Sequence, residues 1–322
     1  MALDDYLAQE IALDWADGHL SRREALRRLL LLGLSATGAA TVLAACSSSG
    51  GDGGTAATGG AATTAGTAPA SAATGSTGTT DPAAGAAPSA STTGAGAAEQ
   101  ITFPGPEGDL FGVLATAAEP KGAVLVIHEN RGLTPHIASI PPRLAADGYT
   151  ALAIDLLSAE GGTASLGGDG EATAALGRAP AERMIADLRA GLDELGRRAP
   201  GAELGAMGFC FGGGMTWQLL AAGEPRLAAA VPFYGPCPAD ASFAGSPRAA
   251  VLAVYAGLDD RVNASQGAAR AALEAAGLTY EVEVFEGVDH AFFNDTGPRY
   301  DAEAASQAYD ALLNWLGQHL AA

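Results

Sequence analysis

Cys210 is the residue with the clearest chemical potential, because glycines stand close to it on both sides. The segment 208–212 reads Gly-Phe-Cys-Phe-Gly, and two more glycines follow. A thiol on a tight turn between a strand and a helix points away from the backbone, and the glycines let the two elements approach. The N-terminus of the following helix supplies N–H groups and a positive dipole end, which favour a thiolate. The segment predicts a nucleophilic cysteine, and its alternative is a Gly-rich turn around a buried, inert thiol.

A nucleophilic thiol needs a base, and the base needs a carboxylate that orients it. Of the five histidines, His290 is the one that follows a late predicted strand, in the segment Gly-Val-Asp-His-Ala-Phe at 287–292. Asp259 and Asp260 follow the predicted strand before it and compete for the orienting role. The order along the chain is then nucleophile, acid, histidine.

Strands and helices alternate along the part of the chain that carries these residues. Strands are predicted at 111–116, 123–127, 150–154, 204–209, 227–234, 250–255 and 280–285, helices at 137–146, 181–198, 213–222, 264–276 and 302–320, and a glycine-rich loop at 161–170. The run 123–127 is apolar throughout, as in a strand that is buried on both faces of a sheet. The alternation predicts an α/β fold with a doubly wound, mostly parallel sheet and helices on both faces.

The order of these motifs resembles the dienelactone hydrolase (carboxymethylenebutenolidase) family of the α/β-hydrolase superfamily. The resemblance runs from about residue 100 to the C-terminus, and the segment His-Glu-Asn-Arg-Gly at 128–132 supports it. It implies the α/β-hydrolase fold and a Cys-His-Asp triad that hydrolyses small esters or lactones through an acyl-thioester. It also implies Asp259 as the acid, since the family pattern places the acid three residues before an apolar residue, here Val262.

Three supporting groups follow from the same resemblance. Glu129 is expected to contact the resting thiol and to help control its ionisation; the alternative is a surface carboxylate at a strand end. The backbone N–H groups of Phe211 and Asn130 are expected to form the oxyanion hole. Loss of one such donor typically raises a reaction barrier by about 3 kcal/mol.

One departure from the family concerns the acid group of the substrate. Dienelactone hydrolases hold a substrate carboxylate with arginines, one of them a few residues past the catalytic histidine. Here the segment 291–295 reads Ala-Phe-Phe-Asn-Asp and contains no arginine. Arg131, Arg261 and Arg299 could supply positive charge from other directions, and we name Arg131 and Arg261 as candidate substrate contacts. The sequence thus predicts the reaction class and leaves the substrate open.

Composition divides the 322 residues into three parts, at 1–45, 46–98 and 99–322. The middle part is almost wholly Gly, Ala, Thr, Ser and Pro and has no large apolar side chains to offset its ordering entropy, which predicts a disordered tether. The last part is long enough for one domain with a full core. The net charge of -19 argues against a nucleic-acid partner. We expect a monomeric domain whose partner is a small ester or lactone.

Residues 1–45 resemble an export signal. The segment Ser-Arg-Arg-Glu-Ala-Leu at 21–26 is similar to a twin-arginine motif, and an apolar run diluted by small residues follows it at 29–45. The run ends in Leu-Ala-Ala-Cys, similar to a lipobox, which implies lipidation of Cys46 after cleavage in front of it. The alternative is an uncleaved single-pass anchor, and the acidic start departs from a usual signal. The expectation is an exported, extracytoplasmic protein that meets the membrane only through its N-terminal lipid or signal anchor.

No cofactor and no metal are expected, because no residue cluster has zinc-ligand spacing and no Lys-Ser/Thr pair completes a phosphate loop. Cys237 is interpreted as an inert small side chain, and a disulfide between it and Cys210 would remove the nucleophile. Two other functions stay open. The first is a non-catalytic, membrane-tethered binding lipoprotein that retains the hydrolase fold. The second is a redox thiol at Cys210, against which the lack of a Cys-x-x-Cys pair weighs.

Overall fold

The computed structural model describes residues 3–47 and 96–321, and the tether predicted at 46–98 falls largely outside them, as does the side chain of Cys46. One eight-stranded sheet forms the centre of the molecule. Its strands are β1 (Glu99–Gly105), β2 (Gly108–Ala115), β3 (Gly122–Ile127), β4 (Tyr149–Asp155), β5 (Leu204–Phe209), β6 (Leu227–Phe233), β7 (Ala250–Ala256) and β8 (Tyr280–Phe285). They lie in the order β1-β2-β4-β3-β5-β6-β7-β8.

The sheet is mostly parallel, as the sequence predicts. β2 pairs antiparallel with both β1 and β4, and every other neighbouring pair is parallel. Each residue of β3, β4, β5, β6 and β7 is buried. Because side chains alternate between the two faces of a strand, complete burial requires cover on both faces of the sheet.

Helices supply that cover. They are α1 (Leu3–Ala16), α2 (Arg22–Leu31), α3 (Ala36–Ser47), α4 (Pro135–Ala138), α5 (Ile140–Ala146), α6 (Asp169–Arg178), α7 (Ala181–Arg198), α8 (Phe211–Ala221), α9 (Asp260–Asn263), α10 (Gln266–Ala276) and α11 (Ala302–His319). The helices α5, α7, α8 and α11 pack directly on the central strands. Residues 96–321 thus form a doubly wound α/β unit.

Three local predictions differ from the structure. β1 was not predicted, because Pro104 interrupts its apolar pattern and Pro is tolerated only in edge strands such as this one. The helix predicted at 137–146 is divided at Ser139, since Pro141 has no N–H to continue the hydrogen bonding of α4. The loop predicted at 161–170 contains a short 3₁₀ turn at Thr163–Ser165 and the first residues of α6.

The N-terminal helices fold back onto the α/β unit. α1, α2 and α3 share a small apolar cluster that consists of Ala8, Ile11, Ala12, Ala25, Leu29, Ala39 and Leu43. α1 also adds Tyr6 and Leu7 to the main core, and α2 contacts α6. Within residues 3–47 and 96–321, no helix combines the length and apolarity that a membrane crossing needs.

Candidate active site

Four of the residues selected from the sequence lie just beyond the carboxyl ends of parallel strands. Glu129 follows β3, Cys210 follows β5, Asp259 follows β7 and His290 follows β8. These ends meet at one edge of a parallel sheet, which is where such folds place their ligand sites. The topology therefore brings together residues that are far apart in the chain.

Cys210 occupies the strained turn that its sequence predicts. Its φ of 57° and ψ of -117° lie outside the regions that L-residues normally adopt, and it immediately precedes α8. The neighbouring glycines are required for space. A Cβ on Gly212 would overlap the backbone oxygens of Ile127 and His128, and a Cβ on Gly208 would overlap the backbone of Gly212. The turn holds the thiol above the end of β5, where it is 3% exposed.

Asp259 and His290 form a close hydrogen-bonded pair. Nδ1 of His290 lies 2.5 Å from Oδ2 of Asp259, and both residues are buried. Oδ1 of Asp259 accepts the backbone N–H of Val262 at 3.1 Å, so Asp259 also caps α9. Asp260, the competing carboxylate, is the exposed first residue of α9. Asp289 accepts the backbone N–H of His290 at 2.6 Å.

The free nitrogen of His290 faces the thiol. Nε2 makes no hydrogen bond among the described residues, and a ring nitrogen of His290 lies within 4.8 Å of Sγ of Cys210. Burial lowers the pKa of His290, but the carboxylates of Glu10 and Asp259 outweigh burial, and the pKa is well above its usual value. Burial raises the pKa of the Cys210 thiol, and Glu10 raises it further against the opposing effect of His290. Burial and the Glu10 carboxylate therefore both favour the protonated thiol over the thiolate.

His128 fixes the loop that carries the second expected oxyanion donor. Its Nε2 accepts the backbone N–H of Leu156 at 3.2 Å, so its Nδ1 carries the proton and donates to the carbonyl of Glu129 at 2.6 Å. Burial lowers the pKa of His128, which favours this neutral form. The backbone N–H groups of Phe211 and Asn130 enter no hydrogen bond within residues 3–47 and 96–321. Both are free to bind an oxygen of a ligand.

Glu129 is buried, but its hydrogen bond goes to Asn294 and not to the thiol. Oε2 of Glu129 accepts from Nδ2 of Asn294 at 2.6 Å, and Oε1 has no partner among the described residues. Burial raises the pKa of Glu129. Asn294 is a residue that sequence reasoning did not select. Glu129 still helps to raise the pKa of the Cys210 thiol, and its control of the thiol stays a prediction. The alternative of a surface carboxylate is wrong, since Glu129 is 5% exposed.

The polar partners of the thiol come from α1, a helix that sequence analysis does not place near this site. The Tyr6 hydroxyl lies 3.2 Å from Sγ of Cys210, and Oε2 of Glu10 lies 3.8 Å from it. Oε1 of Glu10 lies 3.4 Å from Nε2 of His290. No local signal identifies this placement: the acidic residues of α1 are visible in the sequence, but its apolar residues do not form the single stripe that marks a docked helix face.

The arginines named as candidate substrate contacts are paired with carboxylates of α1. Arg261 forms an ion pair with Glu10, and its guanidinium lies 4.5 Å from the ring centre of Tyr6. Arg131 lies 3.6 Å from Asp14 and also reaches α6. Arg299 is 3.2 Å from Asp14 and 2.5 Å from Asp17. Substrate binding by Arg131 and Arg261 stays a prediction.

A cavity of about 320 Å³ opens beside the thiol. Its walls include Cys210, His290, Asn130, Arg131 and Arg299 from the α/β unit, together with Glu10, Asp14 and His19 from the N-terminal segment. The size is at the lower end for small-molecule sites. Glu10, Cys210 and His290 place one possible metal-ligand atom each within 4.8 Å of one another, but Arg261 already neutralises Glu10.

Cys237 takes no part in this site. It is buried and unbonded to Cys210, and both cysteines are free thiols. Its Sγ lies 3.5 Å from the carbonyl oxygen of Pro238. Burial raises its pKa to about 12, so it remains a neutral thiol at physiological pH.

Comparisons with known proteins identify the family to which the α/β unit is similar. The sequence model described as "Dienelactone hydrolase family" matches residues 110–320. A proposed carboxymethylenebutenolidase from Methylorubrum extorquens is 32% identical over 237 residues, which cover 69% of this chain and 81% of that protein. A second, from Saccharolobus solfataricus, is 30% identical over 239 residues, which cover 63% and 91%.

Solved structures show the same fold. The crystal structure of a proposed dienelactone hydrolase from Klebsiella pneumoniae superposes with a TM-score of 0.62 and 28% identity, covering 69% of this chain and 99% of the other. A dienelactone hydrolase from Anabaena variabilis superposes with a TM-score of 0.54 at 19% identity, covering 70% and 98%, and shows the fold alone.

Proposed function

Because the chain belongs to the dienelactone hydrolase family, we propose that it hydrolyses small esters or lactones with Cys210 as nucleophile, His290 as base and Asp259 as orienting acid. Membership makes it a carboxymethylenebutenolidase-like hydrolase of the α/β-hydrolase fold. One observation carries the finer proposal: Asp259 holds one nitrogen of His290 while the other nitrogen faces the thiol of Cys210.

The first half-reaction forms a thioester. Nε2 of His290 takes the proton from Sγ of Cys210, and the sulfur attacks the carbonyl carbon of the ester or lactone. The carbonyl electron pair moves to its oxygen, and the N–H groups of Phe211 and Asn130 donate to that oxygen. When the intermediate collapses, the C–O bond breaks and His290 returns the proton to the leaving alkoxide. In a lactone the released alcohol remains joined to the acyl group.

The second half-reaction restores the thiol. A water molecule gives a proton to His290 and attacks the thioester carbon. Collapse of this second intermediate breaks the C–S bond, and the proton returns to Sγ of Cys210. The product is the free acid. The same two N–H groups serve both intermediates, because the carbonyl oxygen stays in one place.

Asp259 is suited to stabilise the charged base in both steps. Burial raises the pKa of this carboxyl, but His290 outweighs burial and the net direction is downward, so Asp259 stays ionised. An ionised carboxylate on Nδ1 keeps the proton there and leaves Nε2 to exchange protons with the thiol. In this proposal Glu129 takes no direct part in proton transfer. Its buried carboxyl accepts a hydrogen bond from Asn294 and holds that side chain beside the cavity.

We extend the proposal to the place of action. The twin-arginine-like segment and the lipobox-like segment support export and attachment through lipid on Cys46. Arg22 and Arg23 are exposed at the start of α2, where a receptor could reach them. Metabolic labelling with a fatty acid tests the attachment. Label is expected on the wild-type protein and not on Cys46→Ser, and equal labelling of both would contradict it. A monomeric state stays a prediction.

The enzymatic proposal is tested on the full-length chain with p-nitrophenyl acetate. Cys210→Ala is expected to remove hydrolysis above the buffer rate. Cys237→Ala is the matched control, because it deletes another buried thiol and is expected to retain the wild-type rate. Equal hydrolysis by Cys210→Ala and the wild type would contradict the assignment. Wild-type hydrolysis that is lost equally in both variants would point to a folding defect, which circular dichroism detects.

A further inference from the structure

Helix α1 places a continuous face against the proposed catalytic residues. Tyr6, Glu10 and Asp14 are spaced by four residues each, which aligns them along one side of the helix, and Asp17 follows directly after its last residue. The first three are buried, with exposed fractions of 2%, 5% and 8%. A helix that only covered the sheet edge would present apolar residues there. Simple coverage therefore does not explain why α1 buries polar side chains against the site.

Each carboxylate on this polar face forms an ion pair with an arginine beside the site. Glu10 pairs with Arg261, Asp14 pairs with Arg131 and Arg299, and Asp17 pairs with Arg299. These contacts join helix and site in a partly buried region, where ion pairs are less screened than at the surface.

The same contacts oppose the proposed chemistry. The Glu10 carboxylate lies next to Sγ of Cys210, where a negative charge disfavours both a thiolate and a developing oxyanion. Glu10 also helps raise the pKa of His290, and a protonated imidazole cannot accept the thiol proton. The Tyr6 hydroxyl takes up the space directly at the sulfur. A lid that completed the catalytic site would be expected to bring positive or neutral groups here.

We propose that α1 is an internal inhibitor of the hydrolase: it docks in the mouth of the site, with Glu10 and Tyr6 in front of Cys210, so that the docked chain hydrolyses slowly and full activity requires that α1 leave. The inference rests on the proposed function for its catalytic consequence, while the occlusion of the thiol stands on geometry alone. Cleavage in front of Cys46, as the sequence predicts, would remove α1, α2 and residues 36–45 of α3, and so release the site.

Accessibility of the thiol provides the first test, on the full-length chain. Iodoacetamide labelling of Cys210 is followed peptide by peptide, with the buried Cys237 as internal reference. Glu10→Arg places two like charges together against Arg261 and is expected to speed labelling of Cys210 by about tenfold or more, since α1 undocks. Asp5→Arg makes the same charge change at an exposed position of α1 and is expected to label like the wild type. Wild-type labelling as fast as that of Glu10→Arg would overturn the proposal.

A second test avoids dependence on one substitution. A protease recognition sequence is inserted between residues 60 and 90, and the folded chain is cut there and diluted. Cutting converts an intramolecular contact into a bimolecular one, so dilution is expected to release α1 and to raise labelling to a similar extent. If labelling of Cys210 is unchanged after cutting and dilution, internal inhibition is contradicted. This result holds even if the Glu10→Arg variant does not fold, because the cut chain carries no substitution in α1.

Hydrolysis of p-nitrophenyl acetate by the same samples separates this inference from the proposed function. Faster labelling with faster hydrolysis supports both. Faster labelling of Cys210 without any hydrolysis would support the inference that α1 blocks the thiol, but it would contradict the assignment of the protein as a hydrolase. Faster labelling with a fall from a measurable wild-type rate would show that α1 belongs to the working site, which overturns the inhibitory role.

Discussion

Asp259 connects the proposed base to a helix terminus. Its Oδ2 lies 2.5 Å from Nδ1 of His290, while its Oδ1 accepts the backbone N–H of Val262 in the first turn of α9. The carboxylate is therefore held at both oxygens, and the imidazole cannot rotate without losing a buried hydrogen bond. This fixes which nitrogen of His290 faces Cys210.

The role of Asp259 predicts a large effect of a small change. Asp259→Asn keeps the size of the side chain but stabilises the wrong tautomer of His290, so kcat for p-nitrophenyl acetate is expected to fall by about 10²- to 10⁴-fold. Asp260→Asn is the matched control, since Asp260 is exposed at the next position and its loss is expected to leave kcat within about twofold. Equal kcat values for the two variants would count against Asp259 as the orienting acid.

Glu129 predicts a pH dependence of stability. Burial raises its pKa in the folded state, so its stabilising contribution is fully present below the unfolded pKa of about 4.3 and is lost as pH rises through the folded pKa. Glu129→Gln cannot ionise, and its amide oxygen can still accept from Asn294. As pH rises above the unfolded pKa, the wild type is therefore expected to lose unfolding free energy relative to the variant.

Urea unfolding at several pH values measures this difference. Glu119→Gln removes an exposed carboxylate and serves as the control, with a pH profile expected to follow that of the wild type. A Glu129→Gln profile parallel to the wild type over the whole range would show that burial of this carboxyl does not affect the stability of the fold.

The glycines around Cys210 predict a packing effect. Gly212→Ala is expected to lower the free energy of unfolding by about 3 kcal/mol or to prevent folding, because its Cβ would meet the backbone of β3 and the following residue. Gly196→Ala is the control in the exposed last turn of α7, where a Cβ meets nothing within 4 Å. That change is expected to stabilise by about 0.5 kcal/mol. Thermal or urea unfolding measures the change in unfolding free energy for each variant. Similar changes for both would contradict the expected overlap of a Cβ at position 212 with the backbone of β3.

The sheet and the residues of the proposed triad could be predicted because they follow local rules. Buried parallel strands are continuous apolar runs, and the predicted bounds of β5, α7 and β8 agree with the structure. Residues that follow such strands gather at one sheet edge whatever the details of packing. The placement of Cys210, Asp259 and His290 together follows from that topology.

The contacts of Glu10 and Glu129 could not be predicted in the same way. They depend on how α1 and the loop with Asn294 pack in three dimensions, and no local pattern encodes which arginine a given carboxylate will meet. In the sequence, the acidic residues of α1 are visible only as a departure from a usual export signal, and residues 3–47 lie outside the range that the family model matches.

The central assignment, Cys210 as a covalent nucleophile, is tested most directly by trapping the thioester. The full-length chain and its Glu10→Arg variant are mixed with p-nitrophenyl acetate, quenched in acid during turnover, and digested for mass spectrometry. We expect an acetyl group on the peptide that contains Cys210, which appears and decays at rates compatible with turnover, while Cys210→Ala shows neither adduct nor hydrolysis. Turnover that persists in Cys210→Ala, with no acetylated Cys210 peptide in the wild type, would contradict the mechanism.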